Sequence, residues 1–108
     1  IYEYYINNIK NDKLILPRIE HGDKKSHVFH LFVIRTINRE KLKKYLYSRG
    51  IGTDIHYPIP PHKQNAFFEW RNMYYPISEI IHDTILSIPA SLHLSDFEIE
   101  KVVEVLNE

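Results

Sequence analysis

The densest chemistry in this chain lies between His56 and Gln64, where the sequence reads His-Tyr-Pro-Ile-Pro-Pro-His-Lys-Gln. His56, Tyr57, His62, Lys63 and Gln64 supply the hydrogen-bond donors and acceptors that a polar substrate requires. Pro58, Pro60 and Pro61 fix φ and remove amide donors, which keeps the segment stiff without making it helix or sheet. A stiff segment loses less entropy when a ligand orders it, so it suits the presentation of polar side chains. The same composition also describes a structural proline loop whose polar groups are merely solvated, and composition alone leaves both readings open.

Other chemistries fit less well. Seven histidines invite a metal. His27 and His30, three apart on a strand, would face opposite sides, and no carboxylate is arranged near His56 and His62 as a facial triad requires. No metal is therefore expected, and His30, on an apolar strand, reads as a hydrogen-bonded core residue. A Schiff-base role for Lys63 would need a desolvated site and a glycine-rich or helix-terminus cradle for a cofactor phosphate. The glycines are Gly22, Gly50 and Gly52, and Gly50-Ile51-Gly52 has Ile55 where a third glycine would belong. Lys63 reads instead as a surface or substrate-facing charge. No serine lies between glycines, which removes the nucleophile elbow. Tyr2, Tyr5, Tyr45, Tyr47, Tyr74 and Tyr75 could stack on bases, but 14 basic residues balance 14 acidic ones and no RNP-type stretch is present. They read as core and interface residues, and no nucleic-acid partner is expected.

The elements that must hold the loop follow from periodicity. With 108 residues and 44% hydrophobic content, the chain fits one domain with a real core. It has no cysteine, which excludes disulfide scaffolds, zinc ribbons, thiol nucleophiles and iron–sulfur sites and suits a reducing cytoplasm. No apolar run approaches the roughly 20 residues of a membrane helix, so no membrane partner is expected. Ile1 falls inside a helical pattern, so the chain is expected to be a piece of a longer protein.

Tyr2, Tyr5, Ile6 and Ile9 mark the first helix, and Leu14 to Leu16 a short strand ended by Pro17. Arg18 to Ser26 reads as a loop. His27 to Arg35 is the strongest strand and, being nearly all apolar, is expected to be covered on both faces. Asn38 caps a helix that buries Leu42, Tyr45 and Leu46 and stops at Gly50. Gly52 to Tyr57 is a further strand, broken by Pro58, and Phe67 to Tyr75 shows no firm period. Pro76 to Thr84 is expected as a helix with Ile77, Ile80 and Ile81 inward, and Ile85 to Ile88 as a strand. Ser95 and Glu98 form a capping box for a last helix that buries Ile99, Val102, Val103 and Leu106. This order gives an α+β fold, a small and mostly antiparallel sheet backed by helices.

The run His27 to Arg35, then Arg39, Leu42, Leu46 and Gly50-Ile51, then His56-Tyr57-Pro58, Pro61-His62, Gln64 and Ala66-Phe67, resembles the C-terminal part of the DegT-type PLP-dependent sugar aminotransferases. Ile85 to Pro89 and the closing Leu94-Ser95, Ile99 and Val102 match the end of that pattern, so the resemblance runs from about residue 14 to 108. The loop is most similar to the branch that aminates dTDP-3-keto-6-deoxyhexoses. The resemblance implies a fold-type-I enzyme in which residues 1–108 are the C-terminal small domain, with 1–12 the end of an interdomain helix. The large domain, with its Schiff-base lysine and phosphate cup, is absent from these residues. It further implies pyridoxal 5'-phosphate (PLP) in the parent enzyme and none bound here, a nucleotide-sugar substrate, an amino-acid donor such as glutamate, a homodimer at full length and a cytoplasmic location. By position, His56, Tyr57, His62 and Gln64 would border the substrate, and no catalytic residue is expected among these residues. The element order alone also allows a ferredoxin-like, non-enzymatic module that binds a small molecule or dimerises.

Overall fold

The computed structural model describes residues 1–18 and 27–108. The loop expected at Arg18 to Ser26 lies almost wholly outside the described residues. Helix α1 (Tyr2–Asn8) is followed by strand β1 (Phe32–Arg35) and helix α2 (Arg39–Ser48). Two 3-10 turns (Pro61–Lys63 and Asn65–Trp70) lead into helix α3 (Pro76–Thr84), strand β2 (Ile85–Ile88) and helix α4 (Asp96–Asn107).

β1 and β2 pair antiparallel, Phe32 opposite Ile88 and Arg35 opposite Ile85. Single antiparallel bridges extend the pairing on both sides, Ile15 to Arg35 and Asp54 to Ser87. The strands expected at Leu14–Leu16 and Gly52–Tyr57 thus shrink to one residue each. Pro17 and Pro58 follow within a few residues and offer no amide to lengthen a ladder.

β1 is also shorter than expected. Among the described residues, 27–31 have no strand partner, because β2 ends at Ile88, opposite Phe32, and Pro89 follows. His30 is accordingly exposed, not a core residue. Nor are both faces of β1 covered alike: Phe32 and Ile34 are fully buried, while Val33 and Arg35 are half-buried.

The core gathers Tyr5, Phe32, Ile34, Leu46, Leu86, Ile88, Val102 and Leu106 between the sheet and helices α1, α2 and α4. Tyr5 places its hydroxyl 2.8 Å from the Pro89 carbonyl, to which it donates, and burial pushes its phenol up to about 12. Gly50 ends α2 at φ +77, a left-handed conformation that a side chain would strain. Asn38 precedes α2 but makes no side-chain cap. The capping box of α4 is complete: Ser95 Oγ accepts from the Glu98 amide, and the Glu98 carboxylate accepts from the Ser95 amide.

Helix α3 departs from its pattern. Of the three isoleucines expected inward, Ile77 and Ile80 are 75% and 55% exposed and Ile81 is half-buried, and no residue of the helix is fully buried. The face of α3 that meets the rest of the chain is the polar one, carrying Glu79 and His82 to the proline loop. Its apolar face is left open, next to the exposed Phe68, Tyr74 and Tyr75. In urea unfolding, Leu46→Ala is expected to lose about 2–5 kcal/mol, whereas Ile77→Ala is expected to lose less than about 0.5 kcal/mol. Comparable losses would put Ile77 in the core.

Candidate functional site

The proline loop leaves the sheet at the Asp54–Ser87 bridge and returns toward α3. His56 is anchored at the sheet: its Nδ1 and Ser87 Oγ share a hydrogen bond at 3.0 Å, and Ser87 is buried in β2. His56 Nε2 lies 3.7 Å from Asp54 Oδ2. Carboxylate, imidazole and hydroxyl thus stand in the order of a nucleophilic triad, but this one has nothing to attack with. Ser87 is buried in a paired strand, and the Asp54 side chain is 75% exposed. The arrangement orients the imidazole.

Tyr57 follows across a cis peptide bond, with its ring 5.7 Å from that of His56 and edge-on to it. The Tyr57 side chain is 66% exposed, while its carbonyl accepts a 2.6 Å hydrogen bond from His82 Nδ1. His82 in turn offers its own carbonyl to Arg39 Nη1 at 2.6 Å. Helix α3 therefore fixes the Tyr57 backbone and leaves the phenol free to meet a ligand.

Pro60 is buried, and Pro61 occupies the first position of a 3-10 turn, where its fixed φ is already suitable. The turn drives His62 inward, to 4% exposure. There His62 Nε2 lies 2.9 Å from Glu79 Oε1, and Tyr75 packs edge-on against the ring at 5.0 Å. The Glu79 carboxylate also receives the Tyr75 amide at 3.4 Å and stands 3.7 Å from the Lys63 ammonium. The hydrogen bond from His62, with the Tyr75 amide and the Lys63 charge, outweighs desolvation and holds Glu79 below the ordinary 4.5. An ionised carboxylate only accepts, so His62 carries its proton on Nε2. Gln64 braces the loop on itself, Nε2 donating to the Ile59 carbonyl at 3.0 Å.

The four residues singled out from the sequence therefore divide. His56 and Tyr57 stand together at one end of the loop, His62 points into the domain, and Gln64 ties the loop to its own backbone. Glu79, His82 and Ser87 had no role in the sequence reading, yet each holds one of these groups. Ser87 had one sequence signal, a polar type in an otherwise apolar strand, whereas Glu79 and His82 had none, being two of five polar residues on α3.

These residues do not fit PLP. Lys63 is a charged, 40% exposed side chain that faces Glu79 and donates to the Arg71 carbonyl at 3.1 Å. Gly50 and Gly52, the glycines among the described residues, border an open pocket with Ser95 and Lys101, but a Cβ at Gly52 would meet nothing within 4 Å, so the backbone there does not form a close cradle. Among the described residues, no cluster of three or more His, Asp or Glu could hold a metal ion, and no helix is long and apolar enough to cross a membrane.

Fold and loop together define a small α+β unit that presents a stiff polar segment on its surface. Residues 1–107 match the DegT/DnrJ/EryC1/StrS aminotransferase family, and the chain belongs to that family. It is 49% identical over 107 residues to a dTDP-3-amino-3,6-dideoxy-alpha-D-galactopyranose transaminase from Aneurinibacillus thermoaerophilus, covering 99% of this chain and 29% of that protein. It is 31% identical over 103 residues to a UDP-N-acetyl-3-dehydro-alpha-D-glucosamine 3-aminotransferase from Acidithiobacillus ferrooxidans, covering 95% and 27%. Among solved structures, DesV of S. venezuelae in complex with a ketimine intermediate matches with a TM-score of 0.88 at 28% identity, covering 98% of this chain and 29% of that one. The chain thus spans less than a third of the length of these relatives. The α+β architecture is that of a part of a fold-type-I aminotransferase.

Because Glu79 is held below its ordinary value in the folded state, its contribution to stability is full above 4.5 and is lost as pH falls through the lower folded value. The urea midpoint of the wild type is therefore expected to exceed that of Glu79→Gln by a constant amount above pH 4.5, and the gap to shrink below it. A gap unchanged down to pH 3 (about one and a half units below the unperturbed carboxyl) would refute the assignment.

Proposed function

We propose that these residues are the substrate-side small domain of a longer PLP-dependent aminotransferase that moves an amino group from an amino acid, in our reading glutamate, to a keto-sugar nucleotide. The observation that carries this is the 49% identity, across essentially the whole chain, to a transaminase named for a dTDP-linked 3-amino-3,6-dideoxyhexose. The same identity favours the dTDP-3-keto-6-deoxyhexose branch over other sugar nucleotides. Such an enzyme would make amino sugars for lipopolysaccharide or other surface polysaccharides, in the cytoplasm and as a homodimer.

In this reading the cofactor lysine and phosphate site belong to residues outside these 108. The domain contributes the loop. Its prolines and its contacts with Ser87, His82 and Glu79 hold a preformed wall, so less binding energy is lost in ordering it around the sugar. Tyr57 reaches the substrate through its exposed hydroxyl and His56 stands beside it. His62 and Gln64 act through the shape they give the loop. The open apolar surface of Phe68, Tyr74, Tyr75, Ile77 and Ile80 supports the reading, since surfaces of this kind are normally covered by other protein. No observation here favours the ferredoxin-like module, which failed transaminase assays would restore.

In the intact enzyme, Tyr57→Phe or His62→Ala is expected to raise the KM for the keto-sugar nucleotide, or to lower kcat/KM, by about fivefold or more. PLP content, read from its absorbance, should stay at the wild-type level. If both variants match wild type, the loop is not the sugar wall. Residues 1–108 alone are expected to show neither a PLP absorbance band nor transaminase activity. Such a band, lost on Lys63→Ala, would overturn the assignment of the cofactor site elsewhere.

A further inference from the structure

The loop is held by one helix. Glu79 and His82 lie one turn apart on α3, and residues at that spacing share a face. His82 holds the Tyr57 carbonyl at one end of the loop, and Glu79 holds His62 at the other. Between these grips Tyr57 and Ile59 stand outward, 66% and 51% exposed, while Pro60 and His62 are buried. The two grips differ in kind. The His82 bond reaches only a backbone carbonyl. Glu79 joins the His62 ring, the Lys63 ammonium and the Tyr75 amide, which come from the 3-10 turn and from the start of α3. Removing it would leave the Nε2–H of a buried imidazole without its acceptor, the costly kind of loss. The turn would then have to rotate His62 toward water, carrying Ile59 and Tyr57 with it.

We propose that Glu79 is a positioning residue for the sugar-nucleotide subsite: by accepting from His62 it sets where the loop presents Tyr57 and Ile59. The proposal rests on the reading of this chain as the substrate-side part of a sugar aminotransferase. Glu79 touches neither substrate nor cofactor, and its effect passes through the loop alone. It should therefore bear on the keto-sugar and not on the amino-acid donor. Lys63 is drawn into the same contact, which makes its charge part of the latch.

The test uses the full-length enzyme with its cofactor bound, a keto-sugar nucleotide and glutamate. Glu79→Ala is expected to raise the KM for the sugar nucleotide about tenfold, the scale of one charge-assisted hydrogen bond. The KM for glutamate and the PLP absorbance should remain at wild-type values. Glu79→Gln keeps an oxygen that accepts from His62 and Tyr75, so it should recover most of the loss. Glu79→Ala combined with His62→Ala should be no worse than the more severe single variant, because both break the same contact. A sugar KM that stays at the wild-type value, equal damage to both substrates, no recovery with Gln, or additive loss in the double variant would each overturn the proposal. If Glu79→Ala fails to fold, Glu79→Leu, which removes the acceptor but keeps a side chain of similar bulk, and His62→Ala decide the same point: each should raise the KM for the sugar nucleotide and leave that for glutamate unchanged, and a wild-type sugar KM in either overturns the proposal. An active wild type with an unaffected variant refutes the role of Glu79, whereas an intact protein without transaminase activity refutes the reading beneath it.

Discussion

Strand β2 is buried at all four of its positions, and the structure is built outward from that constraint. Leu86 and Ile88 fill the core against Phe32, Ile34 and the helices. Ser87, between them, has its backbone paired to Asp54 on one side and its hydroxyl bound to His56. A strand so deeply buried must satisfy every polar group it carries. Its one side-chain hydroxyl is satisfied by the first residue of the proline loop. The loop thereby starts from a strand that is buried at every position.

From there the loop is kept in place by polar contacts with α3 and by its own prolines. This explains why α3 turns its carboxylate and imidazole inward and leaves isoleucines in the open. On a helix that packed its apolar stripe on the core, Glu79 and His82 would face solvent, and the loop would lose both grips. The exposed stripe beside Phe68 and Tyr75 is the counterpart of using the polar face for the site. A single domain of this size has little apolar surface to spare. The exposed aromatics between Phe67 and Tyr75 are therefore informative, and they agree with a chain that spans under a third of the relatives it matches.

Much of this was legible in the residues. The helical periods at Tyr2 to Ile9 and Ile99 to Leu106 describe helices α1 and α4, and Ser95 with Glu98 forms the expected capping box. Ile85 to Ile88 forms the expected strand and Gly50 the expected helix stop. The misreadings share a cause. A strand needs a partner of matching length, so the apolar run from His27 yields only Phe32–Arg35 against a four-residue β2. An amphipathic pattern gives a helix its two faces but does not say which one meets the domain, and α3 turned the other way.

Composition and order by themselves determined the α+β class, the stiffness of the segment from His56 to Gln64, and the ordered motif by which the family is recognised. These depend on neighbours along the chain: φ fixed by proline, hydrophobic period, turn residues, capping. What each polar side chain does was decided only in three dimensions. His62 and Glu79 are 17 positions apart, and His56 and Ser87 are 31 apart. Whether an imidazole faces a ligand or a carboxylate depends on what the folded chain brings within hydrogen-bonding reach, and spacing in sequence does not encode that. The histidines of the loop thus gained unlike roles, one at the surface end beside Tyr57 and one locked inside by a glutamate from the next helix.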